Sequence, residues 1–437
     1  MTSRDTIFAL SSGSLPSGVA VIRLSGPGTE AALKALAGSL PPPRQLALRT
    51  LTAPDGDFLD RGLVVCFPGP LSFTGEDCGE VHVHGGRAVV AAILKTLVDM
   101  HGLRPAEAGE FTRRAFLHGK LDLTRAEGLA DLIEAETETE RRLAAATSGG
   151  VLEGLYSQWR RQLIEARAML EADLDFSDES DVPGSVADQA GPRISAMLQD
   201  IRRHISGFRA AEMIRDGYRV VILGAPNAGK SSLLNKLAGR EAAIVTDIPG
   251  TTRDVIQVTL DLGGYRVHLS DTAGIRHSED AVEQLGVAKA RERAGQADLL
   301  LLLSDGLTPM PEVTSAAPAI SVRTKIDARP QIGGSAFDHA ISVVNGRGIE
   351  ALVEEISKRA ALTMDVGDRA VPTRQRHVDL LNRCAGALER ALRLESDQTE
   401  LVAEELRHAA DALGRITGAI DVEDVLSSIF SSFCIGK

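Results

Sequence analysis

No apolar run in the sequence is long enough to cross a membrane; even the all-leucine stretch Leu299–Leu303 is far short of the roughly 20 residues a helical span needs. The opening MTSRDTIFALSSG lacks the charged start and long apolar stretch of a secretory signal. A C-x-x-C pair is missing too. The four cysteines, Cys66, Cys78, Cys384 and Cys434, lie far apart, which argues against a zinc cluster or disulfide framework and for a reduced, cytoplasmic protein. Positive charge is not in excess: the net charge of −12 disfavours indiscriminate binding to nucleic acid, although local basic patches remain open. What remains is ordinary for a globular chain, with 43% hydrophobic and 25% charged residues. Its 437 residues suggest about three domains.

Residues 1–118 read as mixed α and β. GVAVIRLSG (Gly18–Gly26) and EVHVHGG (Glu80–Gly86) alternate like strands, and RAVVAAILKTLVDMHG is helical with a stop at Gly102. Residues 119–215 turn helical, with Leu155, Trp159, Leu163, Leu170 and Leu174 expected on one face. From 216 to 364, short apolar runs such as RVVILG, YRVHLSD and AISVRTK alternate with helices, the pattern of a parallel α/β sheet. Helical text returns over 365–437, with stripes Leu381/Cys384/Leu388/Leu392, Leu406/Leu413 and Val422/Val425/Leu426/Ile429. The economical architecture is a helical domain interrupted by an α/β insertion.

GAPNAGKS (Gly224–Ser231) follows a strand and opens a helix, as the phosphate-loop pattern G-x-x-x-x-G-K-S requires. Backbone N–H groups of Asn227, Ala228, Gly229, Lys230, Ser231 and Ser232 would hold phosphate oxygens. Lys230 would reach the β- and γ-phosphates and Ser231 would ligate Mg2+. DTAG (Asp271, Thr272, Ala273, Gly274) sits at a strand end, where Asp271 can hold the metal's water. Between them DIPGTTRD supplies Asp247, Ile248, Pro249, Gly250, Thr251 and Thr252 as a switch, with Thr252 the second Mg2+ ligand. In TKID, Thr324, Lys325 and Asp327 form the base loop. The Asp327 carboxylate can accept from guanine N1–H and N2–H, so GTP is the expected nucleotide over ATP. Thr324 keeps one hydroxyl where many GTPases have an asparagine amide. SVV (Ser342–Val344) retains only the serine of the usual second base loop.

Ras-type enzymes place a water-orienting glutamine directly after the D-x-x-G glycine. Here that position is Ile275, which cannot hydrogen-bond water; Glu279, Asp280 and Glu283 follow, and Arg253 and Arg276 flank the switches. The combination GAPNAGKSSLLN, GTTRD, DTAGIR…E…LG and the terminal FCIGK resembles the bacterial tRNA uridine-modification GTPase family (MnmE/TrmE). VIRLSG, FTGED…E…HGG and GEFTRRAFLHGKLDL extend the resemblance over the whole chain.

The resemblance implies an α+β tetrahydrofolate-binding-like domain, a central helical domain and a Ras-like GTPase domain inserted in it. It implies a K+-activated GTPase working as a homodimer, with Asn227, Thr246, Ile248 and Thr251 around K+ and Glu283 as the catalytic carboxylate. Arg23, Glu80, Lys120 and Lys437 match the family's folate contacts, for 5,10-methylene- or 5-formyl-tetrahydrofolate. With an FAD-dependent partner, the family attaches an aminomethyl-type group (carboxymethylaminomethyl) to C5 of the wobble uridine, U34, of certain tRNAs. Read without it, Arg23, Glu80 and Lys120 are surface or structural charges, and His82 and His84 are ordinary strand histidines with no third metal ligand. The pairs Arg113/Arg114, Arg141/Arg142, Arg160/Arg161 and Arg202/Arg203 read as solvated helix faces. Two other functions share parts of this pattern: a regulatory or ribosome-assembly GTPase switch, and a folate-dependent aminomethyltransferase acting on something other than RNA. The tail CIGK fails as a prenylation box, since Gly436 and Lys437 do not fit it. Cys434 is therefore a half-buried packing residue or, on the resemblance, a reactive thiol on a flexible end aimed at the folate domain.

Overall fold

The computed structural model describes residues 5–175, 186–239, 257–271, 293–311, 313, 315–329, 337–367, 369–395, 398–420, 423–431 and 433–436. The chain divides into two compact units, Met1–Ala130 with Thr147–Ala187 and Arg393–Lys437, and Asp131–Ala146 with Asp188–Leu392. Among the described residues no helix is long and apolar enough to cross a membrane.

The first unit is built on a six-stranded sheet in the order β3-β4-β5-β2-β1-β6. Its strands are β1 (Thr6–Leu10), β2 (Ser17–Ser25), β3 (Ala47–Thr52), β4 (Phe58–Phe67), β5 (Cys78–Gly85) and β6 (Leu103–Pro105). All neighbours are antiparallel except β1 and β6. Helices α1 (Thr29–Ala37) and α2 (Arg87–Val98) bury Leu33, Leu36, Ile93 and Leu97 against Ile22, Leu24, Val64 and Val81 on one face. The period of two along β1 sends Phe8 into that core and turns Ile7 and Ala9 to the opposite face, where they meet Phe111 of α3 (Glu110–Leu117). α4 (Leu123–Glu134) follows; its last turn and α5 (Glu138–Ser148), up to Ala146, belong to the second unit.

In the first unit the long α6 (Val151–Asp175) packs along α12 (Thr399–Thr417), and α13 (Glu423–Ser431) closes the chain. The buried stripe of α6 is Leu152, Tyr156, Trp159, Leu163 and Leu170. Trp159, Leu163 and Leu170 lie where expected, but Leu155 is only half-buried, because Tyr156 lies one step closer to the centre of the face. The side chain of Leu174 lies outside the described residues.

The second unit carries a sheet in the order β12-β11-β10-β7-β9-β8. It comprises α7 (Val186–Ser206), α8 (Phe208–Asp216), β7 (Tyr218–Gly224), α9 (Lys230–Ala238), β8 (Gln257–Leu262), β9 (Tyr265–Asp271), β10 (Leu299–Ser304), β11 (Ala319–Arg323), β12 (His339–Ala340), α10 (Ile349–Met364) and α11 (Gln375–Ala391). Only the β8–β9 pair is antiparallel. Strand order reverses at β7, so the loop after it opens at the sheet's switch point, where α/β folds bind ligands. This is the Ras-like arrangement expected from the sequence. On α11, Leu381, Cys384 and Leu388 are fully buried as expected; Leu392 is 38% exposed, because the helix has already ended at Ala391.

Candidate functional site

In the second unit, the loop from Gly224 to Gly229 turns the chain from β7 into α9. Asn227 (φ 63°) and Gly229 (φ 93°) both lie in the left-handed region, and the curl this produces turns successive N–H groups inward. Gly224 cannot carry a side chain: a Cβ there would lie 2.6 Å from the Leu303 carbonyl oxygen. Lys230, only 6% exposed, donates from Nζ to the carbonyls of Gly224 and Ala225 at 2.8 and 3.0 Å, which holds the ammonium over the loop. Burial pushes its pKa below the usual lysine value, and nearby Asp271 pulls it back up. The Ser231 hydroxyl donates to Asp271 Oδ2 at 2.7 Å, and Asp271 is fully buried at the end of β9. A hydroxyl and a carboxylate so paired beside a phosphate loop are the hard oxygen donors Mg2+ takes. Ser232 lies in the first turn of α9.

Thr324, 1% exposed, donates its hydroxyl to the Ala228 carbonyl at 2.8 Å. This bond ties the TKID loop to the GAPNAGKS loop. Lys325 has a left-handed φ of 57°, and Asp327 stands exposed on the turn that follows. Sequence reading missed what holds this turn. Asp305, just beyond β10, pairs with Arg329 at 2.7 Å and lies 4.0 Å from Lys325 Nζ. The backbone N–H of Leu307 first, and then Arg329 and Thr308, keep its carboxyl well below the usual range. The signal was a carboxylate directly after the run LLLLLS. Ser342 is buried, and its hydroxyl accepts from Asn345 N–H at 3.3 Å; Val344 is exposed. Thr246, Asp247, Ile248, Pro249, Gly250, Thr251, Thr252, Thr272, Ala273, Gly274 and Glu283, all expected at the site, lie outside the described residues, as does Lys437.

The first unit holds a second cluster. Arg23 on β2 and Glu80 on β5 face each other in register and meet at 2.9 Å. The Arg23 guanidinium carbon is 5.6 Å from the Phe73 ring centre and 6.0 Å from that of Phe111. His82 Nε2 lies 3.0 Å from the other oxygen of Glu80, and His84 pairs with Asp60, so both histidines serve carboxylates. Among the described residues no group of three metal-ligating side chains gathers. The Lys120 side chain lies along Gly75, two residues from Phe73. A cation, a carboxylate and the exposed ring of Phe73 suit a flat, N–H-bearing heterocycle, while the buried Phe111 backs Arg23 from the core.

Behind this cluster lies a buried network that contradicts the surface reading of Arg114. That residue is 4% exposed and donates to Asp5 at 2.9 Å and to Glu76 and Glu110 at 3.0 Å. Burial alone would lower its pKa; Glu76 and Glu110 outweigh that and raise it. Arg113 is exposed, and Arg141 and Arg142 pair with Glu138 on a solvated face as expected.

The C-terminal segment docks on this unit. Phe430 and Phe433 pack with Phe116, Leu123 and Ala126, Ile435 bridges to Ala108, and Gly436 is buried, so the end is pinned rather than flexible. Cys434 is exposed.

Residues 6–120 match the family described as the GTP-binding protein TrmE N-terminus, and residues 123–434 match the MnmE helical domain. The tRNA modification GTPase MnmE of Mesorhizobium japonicum is 57% identical over 100% of both chains. Its counterparts from a Chelativorans species and from Brucella anthropi are 53% and 50% identical, each over 99% of this chain and 98% of theirs. With matches of this length and identity, the chain belongs to the MnmE family of tRNA modification GTPases.

Proposed function

We propose that this chain is a Mg2+-dependent, K+-activated GTPase of the cytoplasm that acts in tRNA modification. As a homodimer, and with an FAD-dependent partner, it installs a carboxymethylaminomethyl-type group at C5 of the wobble uridine, using a tetrahydrofolate one-carbon unit. The domains are 1–118 for folate binding and dimerisation, 119–215 and 365–437 for the helical part, and 216–364 for GTP. The observation that carries the reading is the 2.7 Å Ser231–Asp271 bond beside the buried Lys230, in a chain that also has the Arg23–Glu80 cluster.

Loop N–H groups bind the phosphates, Lys230 offsets their charge, and Ser231 with Asp271 offers oxygens to the metal. Mg2+, when bound there, would supply Lewis-acid chemistry at the phosphates. Asp327 selects guanine by accepting its two N–H donors. Glu283 as the water-orienting carboxylate, and Thr246, Ile248 and Thr251 around K+, enter on the family resemblance. In the other unit, Glu80 accepts pterin N–H groups, while Arg23, Lys120 and Lys437 meet the folate's carbonyl and carboxylates. Leu48 and Leu63, paired across β3 and β4 and 49% and 37% exposed, supply apolar surface for a second copy.

Nucleoside mass analysis of tRNA from a strain lacking the protein is expected to show loss of the wobble modification; intact modification would overturn the reading. In such a strain, Cys434→Ser is expected to leave GTP hydrolysis unchanged and the modification absent; full modification would return Cys434 to packing. Calorimetry with 5-formyl-tetrahydrofolate tests the other site. Arg23→Ala and Glu80→Ala should each weaken binding by about tenfold or more, since each strands a charged partner. Unchanged binding in both would remove folate from these residues.

A further inference from the structure

We infer that Ser11 and Gly436 are positioning residues for the one-carbon site, holding Phe433–Gly436 in a single register against the end of β1 and the start of α3. The inference rests on the folate reading above. Gly436 has φ 96°, and a Cβ added there would lie 2.2 Å from the Leu10 carbonyl oxygen. Only glycine permits that approach, and it brings the Gly436 carbonyl to the Ser11 hydroxyl, which donates to it at 2.8 Å. Two residues earlier, the Cys434 carbonyl accepts from Gly109 N–H at 3.5 Å, and Ile435 forms an antiparallel bridge with Ala108. Gly109 is itself left-handed, and a Cβ there would lie 2.5 Å from the Phe430 carbonyl oxygen. The segment is thus fixed at two glycines, one on each partner, with a bridge between them.

Both surfaces it grips flank Arg23. In β1, Ala9 lies opposite Arg23 and Leu10 opposite Ile22, and Ser11 N–H continues the ladder by donating to the Val21 carbonyl. In α3, which begins just after Gly109, the Phe111 ring stands 6.0 Å from the Arg23 guanidinium carbon. Tail, strand end and helix start therefore form one wall beside Arg23. A shift of the tail by one residue would place a side chain where Gly436 alone fits, and would move Cys434 with it.

The test uses the full chain and compares Gly436→Ala, Ser11→Ala and Ser11→Thr. Hydrogen–deuterium exchange of segments 105–112 and 430–437 reads the docking, calorimetry with 5-formyl-tetrahydrofolate reads the site, and GTP turnover serves as the unaffected control. Gly436→Ala should speed exchange and weaken folate binding by about tenfold or more, since it adds left-handed strain to a backbone clash. Ser11→Ala should weaken binding by about three- to tenfold, the worth of one hydrogen bond, and Ser11→Thr should restore it. Fast exchange of both segments in the unaltered protein, or folate binding in Gly436→Ala equal to it, overturns the positioning role. Slow exchange in an unaltered protein that binds no folate overturns the folate reading instead, and with it the role given to these two residues.

Discussion

Replacing Lys230 with alanine is expected to lower GTP turnover by at least about a hundredfold, the scale of losing one preorganised charge at a reacting phosphate. The Lys230 ammonium is buried and held at 2.8 and 3.0 Å by two carbonyls of its own loop, so it needs little reorganisation to meet phosphate oxygens. Burial already disfavours its charge, and anionic phosphates relieve that cost, so the attraction is stronger than that of an exposed lysine. The fold should survive, because the substitution removes a desolvated charge and leaves Leu233, Leu234 and Leu237 of α9 in the core. Single-turnover GTP hydrolysis, with thermal unfolding as the control, measures both. Turnover within threefold of the unaltered protein would remove Lys230 from the phosphate site.

Potassium is expected to raise GTP turnover at least about tenfold over sodium at equal ionic strength. On the family resemblance, Glu283 fills the water-orienting place left by Ile275, and K+ takes the charge-stabilising place of an arginine finger. Asn227 is exposed at the tip of the phosphate loop, and its positive φ is one asparagine tolerates. A monovalent cation held there would offset charge between the phosphates, as an arginine finger does. Asn227→Gly is the informative variant: it keeps the left-handed backbone at no steric cost, so lost activation reports the amide rather than the loop. Equal rates in KCl and NaCl would count decisively against potassium.

The phosphate loop was legible in the sequence because backbone geometry dictates its residues: Gly229 where φ is positive, Gly224 where a carbonyl approaches too closely for a side chain, and a lysine and a serine at the helix start. The strands showed as apolar runs, and β10 as five leucines. What stayed hidden depends on partners far along the chain. Arg114 reads as half of a surface pair, yet its carboxylates Asp5 and Glu76 are 109 and 38 residues away. Gly436 reads as a flexible tail residue, but the hydroxyl that anchors it is 425 residues distant. The α6 stripe differs from expectation more locally: Tyr156, with an apolar body and a polar tip, takes the buried place expected of Leu155.

With the nucleotide bound as proposed, the Thr324 hydroxyl, tied to the carbonyl of Ala228, would couple recognition of the base to that of the phosphates. One end of the ligand would touch a loop that is bonded to the loop touching the other end. Ordering either loop therefore pre-orders its neighbour, and the affinities of base and phosphates multiply as they would for a tethered pair of ligands. A nucleotide lacking either end would lose more than that end's own contacts.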